Sequence, residues 1–308
     1  MTALRQHSVE YLAIRRALGY KLVGEGRLLA SYVAFAERAG TPVVTTELAV
    51  AWTRTATAAS PAYLARRMRV VRSFARYLQT LEHATEIPPV DLFPNSKHRP
   101  TPYIYSEADV AALMAAAREL LPTIRAVTFE TLIGLLATTG MRISEAMALD
   151  QGDVDWENGL LIVSNSKFGK SREVLLHPST VEALRAYSAQ RDRWSRSSSA
   201  PSLFISTRGT RLSHETVQPT FRQLLRQVGL KPRSPSCRPR IHSFRHSFAI
   251  TTLVRWYSDD GDVAARMPLL STYLGHVDPA ATYWYLSATP ELLGLAAGRL
   301  ETAVGDRP

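Results

Sequence analysis

Two short stretches hold most of the side chains that could do chemistry: HSFRHSFA, His242 to Ala249, and LGHVDPAATYWY, Leu274 to Tyr285. The first sets His242, Arg245 and His246 within five residues, and the second adds His276 and Tyr285. Histidines four apart share one face of a helix, and such a pair is most often an ordinary surface or core feature. The same spacing can share a zinc ion. A zinc helix of that type would carry a glutamate after the first histidine and a third ligand nearby, whereas here Ser243 follows His242. A third chemistry is anion binding, with His242 and Arg245 at the start of a helix facing a phosphate. These residues alone leave the three readings open.

Two further places carry candidates. In TTGMRISEA, Arg142 follows a glycine that lets the backbone turn and precedes a short apolar helix that would fix its stem; Glu145, three positions on, is placed to brace it. Lys167 sits at the tip of a basic turn, KFGK, with Lys170 and Arg172 beyond it. A basic β-turn is a common phosphate or groove contact, and a lysine on such a finger can donate a proton to a reacting phosphate. Lysine occurs only at positions 21, 97, 167, 170 and 231, so Lys167 has few competitors.

The elements that must position these residues are legible from periodicity and punctuation. Residues 1–95 read as a helical domain: VEYLAIRRAL closed by Gly19, RLLASYVAFAERAG beginning at Gly26, ELAVAWTRTATA after Thr45 and Thr46, and a long helix from the Ser60-Pro61 cap to about Leu81. On that last helix Leu64, Met68, Val71, Phe74, Ala75 and Leu78 share one face, and Arg66, Arg69, Arg72 and Arg76 another. No acidic residue lies between Glu47 and Glu82 to balance the arginines, which favours phosphate contact over a merely solvated face. The proline-rich stretch EIPPVDLFPNSKHRPTP marks a boundary, with a linker over 96–105 and a second domain over 106–308.

That second domain is predicted to be mixed. Helices follow Ser106, run through VTFETLIGLLATTG and cover MRISEAMAL; LLIVSN and SREVLLH form a β-hairpin. Then come a helix over 178–194, a short strand LFIS, a helix over 213–228, helices over 242–256, 263–273 and 279–286, and a closing amphipathic piece, PELLGLAAGRLE. The expected fold class is mainly α with a small antiparallel β-sheet: a helical N-terminal domain followed by a mixed α+β domain. Lys231, Arg233, Arg238 and Arg240 make a basic, proline-broken loop leading into His242, either plain linker or a nucleic-acid contact.

Composition bounds the partners. At 308 residues with 45% hydrophobic content, the chain is long enough for two cores. A net charge of +10 and a pI near 9.9 favour a polyanion, nucleic acid before membrane, because no basic amphipathic anchor or lipidation motif is present. Most of the excess is N-terminal, since residues 1–99 carry 14 basic against 7 acidic side chains. No apolar run approaches the roughly 18 residues of a membrane span, and MTALRQHSVE lacks the apolar core of a signal peptide. The single cysteine, Cys237, rules out an intrachain disulfide and a cysteine zinc site, and reads as incidental; a reducing cytoplasm is the expected compartment.

In chain order, Arg142 in TGMRISE, Lys167 in KFGKSREV, His242 and Arg245 in HSFRHSFA, His276 in LGH and Tyr285 nine residues later resemble the active-site set of the tyrosine recombinases, the phage-integrase family. The resemblance covers residues 100–290. The helical N-terminal region resembles that family's core-binding domain, and TYWYLSATPELL is most similar to the transposon-encoded branch.

The resemblance implies site-specific cleavage and rejoining of DNA strands, with Tyr285 attacking a phosphodiester to leave a 3′-phosphotyrosyl link and a free 5′-hydroxyl. Arg142 and Arg245 would hold the extra negative charge of the transition state, worth roughly 3–4 kcal/mol per donor. Lys167 would protonate the leaving oxygen, His242 would orient or deprotonate the tyrosine, and His276 would hydrogen-bond the phosphate. No metal or other cofactor is implied. The implied partners are double-stranded DNA with specific recombination sites and a homo- or hetero-tetramer, related recombinases included, with no membrane; the place is the bacterial cytoplasm, at the nucleoid. PELLGLAAGRLE would either fold back on its own domain or be donated to a neighbouring subunit. Tyr283 is a rival nucleophile that reads as packing, and His246 reads as structural. The Arg245–His276 interval is longer than in the commoner members, and RWYSDDGDVAAR carries the excess as an inserted turn or longer helix. Two alternatives remain: a strand-relaxing enzyme resembling type IB topoisomerases, and an accessory DNA-binding or synapsis protein, which would have no use for all six residues.

Overall fold

The computed structural model describes residues 2–93, 101–164, 171–194, 201–259, 262–287 and 289–305; Lys167 and Lys170 lie outside them. The chain divides into two compact units, Met1–Arg99 and Pro100–Pro308.

The first unit is built from α1 (Ala3–Ala17), α2 (Val23–Arg38), α3 (Thr46–Arg54) and α4 (Pro61–Leu78). Thr2, Thr45 and Ser60 each cap a helix by accepting a hydrogen bond from the backbone N–H three residues on, which satisfies one of the donors a helix start leaves open. Helix α2 begins before Gly26, which sits buried inside it. Along α4, Met68, Val71, Phe74 and Leu78 are completely buried with Tyr32 and Trp52, each contributing roughly 1.5–3 kcal/mol of burial free energy.

Folding breaks up the arginine stripe of α4. Arg72 is buried, and its Nε and Nη2 donate to the carbonyls of Pro88 (2.7 Å) and Pro89 (2.5 Å), so it fastens the returning chain and is not available to phosphate. A guanidinium can be buried only with such acceptors around it. Arg66 reaches Glu25 on α2 at 2.7 Å, an acidic partner 41 positions away that the local sequence window could not show. Arg69 and Arg76 remain exposed.

The second unit centres on α6 (Thr123–Thr139), whose buried residues Ala126, Phe129, Leu132, Ile133 and Leu136 run round the helix because α5 (Glu107–Arg118), α8 (Pro178–Trp194) and α10 (Ser243–Ser258) all pack on it. After α7 (Ile143–Ala148), β1 (Val154–Asp155), β2 (Leu160–Val163) and β3 (Arg172–Leu175) form an antiparallel sheet in the order β1-β2-β3, with Leu161 opposite both Val154 and Val174. LFIS does not form a strand. Its backbone is satisfied instead by Leu149 O, which accepts from the Leu203 N–H (2.9 Å), and by Tyr187 Oη, which accepts from the Ile205 N–H (3.2 Å).

Helix α9 (His214–Gln227) closes the main core, and α11 (Val263–Leu274), α12 (Ala280–Tyr283), a 3-10 turn over Trp284–Ser287 and α13 (Pro290–Gly305) complete the unit. Helix α13 packs on α10 within the same chain: Leu292 is fully buried, and Arg299 donates to the carbonyls of Trp256 (3.2 Å) and Tyr257 (2.6 Å) near the end of α10. Tyr103 and Tyr105, read from the sequence as linker, are buried in this core; Tyr105 stacks on Phe244 at 4.6 Å between centroids. Among the described residues no helix is long and apolar enough to cross a membrane.

Candidate active site

The site is organised around the C-terminal end of α11. A helix end leaves its last carbonyls without intrahelical partners and carries a partial negative charge. Three arginines from three other elements take up successive carbonyls there. Arg172 Nε donates to Tyr273 O (2.9 Å), Arg245 Nη2 to Leu274 O (2.7 Å) and Arg142 Nη2 to Gly275 O (3.0 Å). Gly275 turns left-handed at φ +66°, and a Cβ there would stand 2.8 Å from Arg172 Nη1, so only glycine lets the guanidinium lie against the turn.

Arg142 reaches this point because α6 ends at Gly140, also left-handed (φ +59°) and covered so closely by Phe248 that a Cβ would lie 2.6 Å from its ring. Arg142 is then the N-cap of α7, and its own N–H donates to Glu145 Oε2 (2.9 Å) while Nη1 donates to Oε1 (2.6 Å). Arg172 grips the same carboxylate from the other side, Nη2 to Oε2 at 2.8 Å and Nη1 to Oε1 at 3.2 Å. From its place in the basic turn, Arg172 is expected to contact DNA. Folded, it is spent on Glu145 and Tyr273, because β3 lies beside α11 and points this side chain into the protein.

Glu145 is buried between two guanidiniums. Burial alone would raise its pKa, but hydrogen bonds from Arg172 and the Arg142 N–H, with the Arg172 charge, outweigh it and hold the carboxyl at about 2. A carboxyl depressed from 4.5 to about 2 stabilises the fold fully above pH 4.5, and that contribution is lost as pH falls through the folded value. It amounts to about 3 kcal/mol. Acid titration of the melting midpoint is expected to show this loss in the wild type between pH 4.5 and 2. Glu145→Gln should start less stable at neutral pH and have a flatter profile over that window; an identical profile would show that the pairing adds nothing.

Arg245 is 2% exposed and donates through Nη1 to Gly140 O (3.1 Å) as well as to Leu274 O. Burial, then the neighbouring Arg142, lowers its pKa to about 10, so it stays protonated at neutral pH. His242 caps the start of α10, exposed at the surface yet crowded from below; that crowding, with Arg245 and Arg142, lowers its pKa and favours the neutral ring.

Tyr285 lies in the 3-10 turn and is 2% exposed, whereas Tyr283, two residues earlier, is 51% exposed. Tyr283 does not pack as its sequence context suggests: the tight turn sends it to solvent and Tyr285 inward. The Tyr285 hydroxyl lies 3.1 Å from His246 Nδ1, and the two rings meet edge-on at 5.6 Å. His246, read from the sequence as structural, is therefore in contact with the phenol. His242 instead meets the His246 ring at 4.9 Å. His276 stacks near the Tyr285 ring at 6.2 Å, and its Nδ1 is held 2.6 Å from the hydroxyl of Thr282, a completely buried residue that no motif singled out. The signal for His246 was present in the i,i+4 spacing from His242, which puts both on one face of α10.

The basic loop before α10 is partly fastened. Arg233 lies over the Tyr103 ring at 4.6 Å and donates to Ile104 O (3.3 Å), and Arg238 donates to Pro235 O (3.0 Å); Lys231 and Arg240 are exposed. Cys237 within it is buried. Among the described residues, no group of three or more histidine, cysteine, aspartate or glutamate side chains is placed to hold a metal ion.

Residues 104–291 match the phage integrase family. The chain is 42% identical over 314 aligned residues to the Sinorhizobium fredii protein named integrase/recombinase y4rB, covering 100% of both. It is 30% identical over 238 residues to tyrosine recombinase XerC of Pelotomaculum thermopropionicum, covering 75% of this chain and 72% of that one. The Tn1549 transposon integrase, in its complex with transposon right end DNA, has the same fold, with a TM-score of 0.69 over 98% of this chain and 99% of that one at 16% identity. The chain belongs to the phage integrase family. Within it, the protein is a tyrosine-type site-specific recombinase.

Proposed function

We propose that Tyr285 is the nucleophile that joins the protein to a DNA 3′-phosphate, and that Arg142, Arg245, His242 and His276 form the pocket for that phosphate. The observation that carries this reading is the convergence of one turn. The carbonyls of 273–275 hold Arg172, Arg245 and Arg142, His276 follows directly, and its ring stacks near Tyr285. Arg142 and Arg245 keep donors beyond those used on carbonyls, and forked, permanently charged groups suit the oxygens of a pentacoordinate phosphorus. Lys167 is assigned as the acid for the leaving 5′-oxygen on its position in the motif order alone. Glu145 and Arg172 are positioning residues.

The substrate is duplex DNA bearing specific recombination sites, and the assembly is a tetramer of this chain or of this chain with related recombinases. Two comparisons support integration, excision or transposition of a mobile element: the y4rB relative carries an integrase/recombinase name, and the chain shares its fold with the Tn1549 transposon integrase, which is in complex with transposon right end DNA. The working place is the cytoplasm, at the nucleoid. The test uses nicked duplexes spanning the ends of the element that encodes the protein. A covalent complex with a free 5′-hydroxyl is expected on denaturing gels; binding without any adduct would move the chain to an accessory, synapsis role.

Arg69, Arg76, Lys231, Arg238 and Arg240 are the proposed backbone contacts. Replacing Arg69 and Arg76 by alanine is expected to flatten the slope of log K against log salt by about 2, at roughly 0.9 per phosphate contact. Arg72→Ala should instead lower the melting midpoint, because it frees the carbonyls of Pro88 and Pro89. An unchanged salt slope in the double variant would remove the α4 face from the DNA interface.

A further inference from the structure

We infer that Thr282 is a positioning residue for His276: its hydroxyl donates to Nδ1 and so places the ring proton on Nε2, the nitrogen that hydrogen-bonds the phosphate. The inference rests on the reading of His276 as a phosphate contact and goes beyond it by naming the residue that fixes the ring's tautomer. A neutral histidine is a donor at one nitrogen and an acceptor at the other, and the partner of one nitrogen decides the role of the other. Here Nδ1 of His276 lies 2.6 Å from Oγ1 of Thr282. Two assignments fit that distance. Either Nδ1 carries the proton and donates to Oγ1, or the hydroxyl donates to an unprotonated Nδ1. The surroundings of Thr282 select the second. The residue is completely buried, so bulk water does not reach the hydroxyl, and among the described residues His276 is the one hydrogen-bond partner of its side chain. In the first assignment the hydroxyl hydrogen would be buried with no acceptor, which costs more than the single hydrogen bond returns. In the second, the hydroxyl hydrogen goes to Nδ1 and the ring's own proton sits on Nε2.

Local structure brings the two side chains together. Asp278 Oδ1 accepts from the Ala280 N–H (2.9 Å), and the Thr282 N–H donates to Pro279 O (2.8 Å), so the chain turns back to His276 within six residues. Tyr285 follows three positions later, in the 3-10 turn. One hydroxyl therefore ties the phosphate-side histidine to the segment that carries the nucleophile. A β-branched side chain has few χ1 rotamers, which helps to keep Oγ1 at Nδ1. At the phosphate, Nε2–H adds a neutral donor beside the charged forks of Arg142 and Arg245. A donor already held in orientation gains strength as charge builds on the non-bridging oxygens in the transition state. The other tautomer would present a lone pair from Nε2 to an oxygen anion and repel it. Neither Thr282 nor His276 gives up a proton in this arrangement.

The experiment combines a spectrum with single-turnover cleavage of the same nicked duplexes. The whole protein is prepared with isotope-labelled histidine, and the His276 ring signals are identified by their loss in His276→Ala. Nitrogen shifts and proton couplings near neutral pH are expected to show an unprotonated Nδ1 and a protonated Nε2. An Nδ1–H tautomer, or a doubly protonated ring, would overturn the inference whatever the variants do. Thr282→Val keeps the shape and removes the hydroxyl. It is expected to cleave about 10²-fold more slowly with unchanged DNA affinity, and to lose the fixed tautomer. Thr282→Ser keeps the hydroxyl and is expected to recover most of the rate and the wild-type spectrum. A serine variant as slow as the valine one would mean that the methyl group matters and the hydroxyl does not, and the inference fails. The double variant His276→Ala with Thr282→Val separates positioning from packing. If Thr282 acts through His276, the double variant cleaves no more slowly than His276→Ala; if the two losses multiply, Thr282 supports the fold independently and the inference falls. His276→Ala by itself tests the reading beneath. Full-rate cleavage by that variant would remove His276 from the phosphate, whereas slow cleavage by it together with wild-type cleavage by Thr282→Val would remove only the Thr282 assignment.

Discussion

Tyr285→Phe is expected to form no covalent protein–DNA adduct, whereas Tyr283→Phe is expected to cleave at the wild-type rate. The phenylalanine variant keeps the ring that packs with Ala249, Leu253, Leu274 and Leu292 in the small core between α10, α11 and α13. What it removes is one oxygen, 3.1 Å from His246. A lost hydrogen bond of that kind costs roughly 0.5–1.5 kcal/mol of stability, so the fold and DNA affinity should survive and the chemistry alone should vanish. Tyr283 provides the control, because its side chain is half exposed and lies outside this pocket. Mapping the adducted peptide by mass spectrometry checks the outcome independently. An adduct on Tyr283, or a Tyr285→Phe protein that still cleaves, would overturn the nucleophile assignment.

Arg245→Lys is expected to lower the cleavage rate by about 10²–10³-fold, the usual effect of removing one transition-state donor, with DNA binding much less affected. The substitution keeps a basic group but not the fork. Arg245 spans two carbonyls, Gly140 at the end of α6 and Leu274 at the end of α11, with separate nitrogens. A single ammonium cannot hold both and also face a phosphate. Burial adds to the loss: it pulls the arginine down to about 10, from which it still stays charged, while a lysine in the same place starts lower and loses its proton more readily. Measured cleavage within a few-fold of wild type would mean that Arg245 serves only to join α6 to α11.

Much of this protein is legible in its sequence, and the legible part is local. Ser60-Pro61, Ser106 with Asp109, Gly140 and Gly275 announce helix starts and stops because caps and left-handed turns depend on a few adjacent residues. The ordered set Arg142, His242, Arg245, His276 and Tyr285 could be read as one site because the resemblance supplied the company that each residue lacks alone. The choice between Tyr283 and Tyr285 also leaned on spacing.

Tertiary structure decided how the charged groups are spent. Arg66, Arg69, Arg72 and Arg76 look equivalent on a helical wheel, but only packing shows that Arg66 meets Glu25 and that Arg72 is buried under the carbonyls of Pro88 and Pro89. Arg172 looked like part of a basic finger and is instead one of two clamps on Glu145. His246 looked like filler beside Arg245, although it is the ring that meets the Tyr285 hydroxyl across 39 positions of chain. The reason is common to all of these. A buried charge or a polar ring must find its partner wherever the fold brings one, and such partners come from distant segments, whereas periodicity and capping are set by neighbours.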